Sequence, residues 1–103
     1  MGILETAMSL IAGAGDSKSY SMEAISYAKE GNFSEARACI GKAREAMDET
    51  HDIQTQLIRD EMTGEKSELT LLMVHAQDHL NSALLMREMA EEFIDLYEKL
   101  SNK

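Results

Sequence analysis

Three side chains able to bind protons or metals fall close together in the sequence: His75, Asp78 and His79. They stand inside Leu-Thr-Leu-Leu-Met-Val-His-Ala-Gln-Asp-His-Leu-Asn-Ser, residues 69–82, a run rich in helix formers and free of glycine and proline. At about 100° per residue, Asp78 lies roughly 60° to one side of His75 and His79 roughly 40° to the other, with Ser82 nearly in line below His75. All four project from one face of a helix. Leu71, Leu72, Met86 and Met89 stand at the edges of that face, so it is not simply a solvated one. Two imidazoles and a carboxylate on a semi-apolar surface need partners, because an unpaired buried polar group costs about 2–7 kcal/mol.

The plainest way to meet that need is a satisfied polar seam between packed helices. A second is a zinc hydrolase. His-Ala-Gln-Asp-His has the form of the inverted zinc motif H-x-x-E-H, whose histidines at i and i+4 chelate from one helical face. Against it stand Asp78, one carbon shorter than the glutamate that motif requires, and a chain of 103 residues that leaves little room for a substrate cleft. A third is phosphoryl transfer. A neutral imidazole nitrogen is nucleophilic near pH 7, and phosphohistidine passes its group on readily. The protein need only hold the ring, choose the tautomer and offer donors to the phosphoryl oxygens, for which Gln77, His79 and a helix N-terminus are at hand. A fourth is a helical protein-interaction module. Tyr27-Ala-Lys-Glu-Gly-Asn-Phe-Ser-Glu-Ala-Arg resembles the helix-turn-helix of a tetratricopeptide repeat, but the pattern is partial and occurs once, whereas such repeats need neighbours to bury their faces.

Val-His-Ala-Gln-Asp-His-Leu, residues 74–80, resembles the active-site motif of the lactose/cellobiose class of enzyme IIA proteins, the phosphocarriers of the bacterial phosphoenolpyruvate-dependent sugar phosphotransferase system. The resemblance runs over essentially the whole chain: three helical segments, the Gly31-Asn32-Phe33 turn, the segment from His51 to Ile58 and the heptapeptide in the last helix. It implies that His75 is the phosphorylated residue and that Gln77 and His79 line a phosphoryl pocket between subunits. It also implies a homotrimer in which Asp78 meets its symmetry mates at the axis around one divalent metal, usually Mg2+. Three carboxylates at one axis repel, and a hard cation or shared protons would relieve this. The implied partners are a general histidine-phosphorylated carrier protein, which donates to His75, and a sugar-specific IIB component, whose cysteine receives the group for disaccharide uptake. Cellobiose, lactose and diacetylchitobiose systems share the motif. One departure is Asn81, where methionine is common; it neighbours the site without belonging to the motif.

Composition limits the alternatives. The length is that of one domain, residues 1–103, with a modest core. Proline is absent, aromatics are only 5%, and alanine, leucine, methionine and glutamate abound, so an all-α fold is expected. A net charge of −9 repels nucleic acid and anionic membranes and suits a basic protein partner. Cys39, the only cysteine, has no disulfide partner in the chain and sits among Ala38, Ile40 and Ala43, which reads as a buried small apolar residue in a reducing compartment. No stretch approaches the ~18 apolar residues of a membrane span, and the N-terminus lacks the basic start of a signal peptide, so a cytoplasmic protein is expected.

Two short loops joining three long helices imply an antiparallel up-down-up bundle. The first helix is expected over about 3–30, with Leu4, Ala7, Met8, Ile11, Ala14, Met22, Ile25 and Ala28 inward. Gly13-Ala14-Gly15-Asp16-Ser17 interrupts its pattern; the resemblance favours a continuous helix with tight packing there over a kink or a phosphate loop. Gly31 should end this helix in a left-handed conformation, and Asn32 should cap the next, with Glu35 completing a box. The second helix is expected to reach about residue 60, burying Ala36, Ile40, Ala43, Met47, Gln54, Leu57 and Ile58. His51 reads as a histidine held in that seam or supporting the site. After a polar loop over 60–68, with Ser67 as a cap, the third helix should reach about Leu100. Leu69, Leu72, Met73, Ala76, Leu80, Ala83, Met86, Ala90, Phe93, Tyr97 and Leu100 form its stripe.

Overall fold

The computed structural model describes residues 2–65 and 68–102. Three long helices, α1 (Ile3–Lys29), α2 (Phe33–Met62) and α3 (Leu71–Ser101), form the all-α bundle that the composition implies. A helix of this size is about 40–46 Å long at 1.5 Å per residue. The whole measures 56 × 20 × 18 Å, so the helices lie side by side and fold back on themselves. α1 packs along both partners, whereas α2 and α3 touch each other far less.

The central place of α1 follows from its small residues. Its buried line is Ala7, Leu10, Ala14, Ser17, Ser21, Ala24 and Ala28, a strict alternation of three and four. Apart from Leu10 every side chain there is small, which lets two neighbouring backbones approach. Ser17 Oγ donates to the Ala43 carbonyl of α2 at 2.9 Å, so its buried hydroxyl is satisfied across the seam. Gly13 faces Thr50 of α2 so closely that a Cβ built on it would meet Thr50 Oγ1 at 1.9 Å. The helix runs unbroken through Gly13 and Gly15, as expected, and the reason for Gly13 is this close approach.

The turn and caps are chemical. Gly31 takes φ 81°, the left-handed conformation expected of it. Asn32 accepts from the Glu35 N–H at 3.3 Å and caps α2. Ser67 lies outside the described residues. α3 starts three residues later than expected, at Leu71, with Thr70 as its cap: the Thr70 hydroxyl accepts from the Met73 N–H at 3.1 Å. That bond serves one of the free amides of the first turn.

The cores of α2 and α3 are also spaced by three and four. Ala36, Cys39, Ile40, Ala43, Met47 and Thr50 are buried on α2, and Met73, Ala76, Leu80, Ala83, Ala90 and Ile94 on α3. Several expected core positions turn outward instead. Leu4, Met8 and Met22 are exposed because the small residues beside them take the inward line. Ile58, Leu69, Phe93 and Leu100 are exposed too, with Ile94 inward in place of Phe93 and Leu69 preceding the helix. His51 is exposed, not held in the seam, because Thr50, three residues after Met47, occupies the inward position. Cys39 is buried as expected, and that burial pushes its thiol pKa up.

Candidate functional site

His75 and His79 sit one turn apart near the start of α3, so the helix itself brings them together. The Nε2 atoms of the two rings are 3.0 Å apart. The rings meet edge to face, 4.4 Å between centroids and 89° between planes. From α1, Lys18 Nζ reaches His79 Nδ1 at 3.2 Å. These contacts fix proton positions. An ammonium has only protons to give, so His79 Nδ1 accepts and its ring proton resides on Nε2. That proton points at His75 Nε2, which therefore presents its lone pair and keeps its own proton on Nδ1. Burial, the nearby Lys18 charge and His75 together hold the His79 pKa below the usual histidine value, which favours the neutral ring this chain of bonds requires.

His75 is exposed and His79 half-buried, so the pair opens outward from the bundle. Asp78 is exposed on the same outer face, and Ser82 turns its hydroxyl back to the Asp78 and His79 carbonyls, at 2.9 and 3.2 Å. Gln77 does not join them within one chain. At i+2 it points about 200° around the helix from His75, toward α2. There Gln54 Nε2 donates to Gln77 Oε1 at 2.7 Å, and the Gln77 amide faces Met73 Sδ at 3.6 Å. Sequence reasoning missed Lys18 altogether: it is 61 residues from His79, and a lone lysine on an acidic helical chain carries no local signal.

The face that bears the site continues along α3 as a second line of threes and fours: Leu71, His75, Asp78, Ser82, Leu85, Met89, Glu92, Leu96 and Leu100, all exposed. It lies opposite the buried line, and Leu71 and Leu85 are 85% and 61% accessible. An uncovered apolar stripe of this length belongs to an interface more readily than to open water. Asp78 stands inside it.

The family described as "PTS system, Lactose/Cellobiose specific IIA subunit" matches residues 5–98. The chain belongs to that family. It is 48% identical over 94 residues to the lichenan-specific phosphotransferase enzyme IIA component of Bacillus subtilis, covering 91% of this chain and 86% of the relative. The crystal structure of the cellobiose-specific enzyme IIA from Bacillus anthracis superposes with a TM-score of 0.94 at 46% identity, over 96% of this chain and 91% of that one. The IIA(chitobiose) of Escherichia coli, solved in solution as a complex with HPr, gives a TM-score of 0.85 at 38% identity, over 98% of both chains. As a IIA subunit, the protein is a phosphocarrier of the sugar phosphotransferase system, which sets aside the zinc hydrolase and the interaction module. No helix among the described residues is long and apolar enough to cross a membrane.

Proposed function

We propose that His75 is the residue that carries the phosphoryl group, and that HPr donates it. The observation that carries this reading is the Nε2–Nε2 contact: it leaves the exposed His75 ring with a lone pair on the nitrogen that its neighbour addresses. In the transfer, His75 Nε2 attacks the phosphorus of the carrier's phosphohistidine in line. The new N–P bond forms as the carrier's N–P bond breaks, and the electron pair returns to the carrier's imidazole. No proton need leave His75, because Nε2 is already free and the positive charge is spread over a ring that keeps Nδ1–H. The His79 Nε2–H then turns from His75 to a phosphoryl oxygen, a donor aimed where negative charge accumulates. In the reverse sense, a thiolate of the sugar-specific IIB component takes the phosphoryl group from His75, as part of the uptake of cellobiose or a related sugar. The relay runs in the cytoplasm.

The outer stripe of α3 supports a homotrimer in which three copies of that stripe pack together. Such packing would seat Asp78 among its symmetry mates. One carboxylate per chain cannot hold a cation alone, and the described residues of one chain contain no cluster of three acidic, histidine or cysteine side chains suited to a metal. Three Asp78 carboxylates at an axis are the hard oxygen donors that Mg2+ takes. The ion would neutralise them there and would hold the interface, with no part in the attack of His75. The pocket would then lie between subunits, where Gln77 could face the site only from a neighbouring copy.

Incubation with phosphoenolpyruvate, enzyme I and HPr, followed by mapping of the acid-labile phosphate, tests the assignment. The expected label is on His75, and His75→Ala is expected to stay unlabelled while keeping its helicity. Labelling of that variant at the wild-type rate would refute it.

A further inference from the structure

The function of Lys18 is not implied by the 74–80 motif, and its position in the fold is particular. It lies on α1, one position past the buried Ser17, whose bond to the Ala43 carbonyl pins this turn of α1 against α2. Its ammonium, half-buried with its stem, contacts His79 on the ring nitrogen remote from His75. Lys18, His79 and His75 thus form a relay of two contacts, 3.2 and 3.0 Å, that crosses from one helix to another.

We infer that Lys18 is a positioning residue for phosphoryl transfer: it holds His79 in the Nε2–H tautomer, and through it presents the His75 Nε2 lone pair. Without the ammonium, His79 Nδ1 loses its donor. Its proton then partitions between the two ring nitrogens, as it does in a free neutral imidazole. In the Nδ1–H tautomer, two unprotonated Nε2 lone pairs face each other across 3.0 Å, so the His79 ring must turn away or draw the proton of His75 to Nε2. The first removes the donor awaiting the phosphoryl oxygen. The second occupies the nucleophilic atom. The remote partner that fixes the tautomer of a metal-bound histidine is worth about 10–100-fold in activity, and a loss of the same order is expected for this pair. Lys18 is also the cation that this relay places behind the site, and its charge favours the dianionic phosphoryl group on His75 over the bare ring.

This inference rests on His75 as the phosphorylated residue, and the test separates the two. Lys18→Met keeps the length and apolar stem of the side chain and removes the donor; Lys18→Arg keeps a donor and the charge. Two quantities are measured on the full chain: the imidazole 15N shifts, which report the tautomer of each ring at a pH where both are neutral, and the kinetics of phosphoryl uptake from phosphorylated HPr. Wild type is expected to show His79 as Nε2–H and His75 as Nδ1–H. Lys18→Met is expected to show mixed tautomers at His79 and a fall of about 10–100-fold in kcat with KM within about twofold. Lys18→Arg is expected to keep the wild-type tautomers and most of the rate. Wild-type kinetics in Lys18→Met would overturn the inference while leaving His75 in place. So would unchanged tautomers with a lowered rate, or a rise confined to KM, which would make Lys18 a contact for HPr instead. Wild-type label on a residue other than His75 would overturn both.

Discussion

Gly13 and Gly15 look alike in the sequence and stand within one turn of Ser17 on the same helix, yet the structure separates them sharply. A Cβ on Gly13 would stand 1.9 Å from Thr50 Oγ1 and 3.2 Å from Thr50 Cβ, whereas a Cβ on Gly15 would meet nothing within 4 Å. Carbon contacts are optimal at about 3.5–4.0 Å, so Gly13→Ala is short of room by more than 1 Å. The threonine cannot simply yield, because its hydroxyl donates to the Ala46 carbonyl at 2.7 Å and its methyl would swing into the same space. α1 and α2 must part. Overpacking of this kind costs about 1–3 kcal/mol, and backbone movement argues for the upper end; the better helix propensity of alanine returns about 1. The net expected loss for Gly13→Ala is about 2 kcal/mol, and for Thr50→Ala about 1. In the double variant Oγ1 is gone and only the 3.2 Å carbon contact remains, which a shift of a few tenths of an ångström relieves. Its loss should therefore be about 1 kcal/mol, not 3, a coupling of about 2 kcal/mol where independent sites agree within about 0.5. Gly15→Ala is the control and should be neutral or more stable by up to about 1 kcal/mol. Urea unfolding followed by circular dichroism at one chain concentration measures all four, the fixed concentration guarding against mass action from association. An additive double variant, or Gly13→Ala at wild-type stability, would refute the close-approach argument.

The remaining predictions concern the site and the interface. His79→Ala should still be phosphorylated on His75, but about 10²–10³-fold more slowly, since it loses a donor and not the nucleophile; complete loss of label in this variant would reverse the roles of the two histidines. Asp78→Leu should give a trimer of about 35 kDa by light scattering, three times the 11.5 kDa chain, at least as stable as wild type, because replacing buried ionic groups with packed apolar ones is often neutral or stabilising by about 1–4 kcal/mol. Wild type should melt lower in chelator than in magnesium and Asp78→Leu should not respond; equal responses would place any metal elsewhere. Cys39, whose thiol pKa burial raises, should react with iodoacetamide slowly in the native protein near pH 8 and promptly in urea; fast native alkylation would mean that α1 and α2 open there.

Much of the molecule was legible because its signals are local. A heptapeptide within one helix fixes the spacing of His75, Asp78 and His79 whatever surrounds it, and the 3.0 Å meeting of the two rings follows from their one-turn separation. The Gly31 turn and the Asn32 cap are decided by residues two or three positions apart, and so were readable too. The apolar pattern misled where size mattered more than hydrophobicity. On α1 the inward line belongs to Ala14, Ser17, Ser21 and Ala24, because two neighbours must approach it, and Met8 and Met22 are excluded by bulk. His51 failed for a related reason: one step of register on α2 gave the seam to Thr50. Tertiary structure alone decided Lys18, since a contact across 61 residues depends on how far α1 slides along α3, and that slide is set by the close packing of small side chains. It also sent Gln77 toward Gln54 and left the stripe through Asp78 bare. Periodicity gives α3 an apolar stripe and sets Leu71 and Met89 at the edge of the site face; only the packing of α1 determines which apolar positions the chain covers by itself.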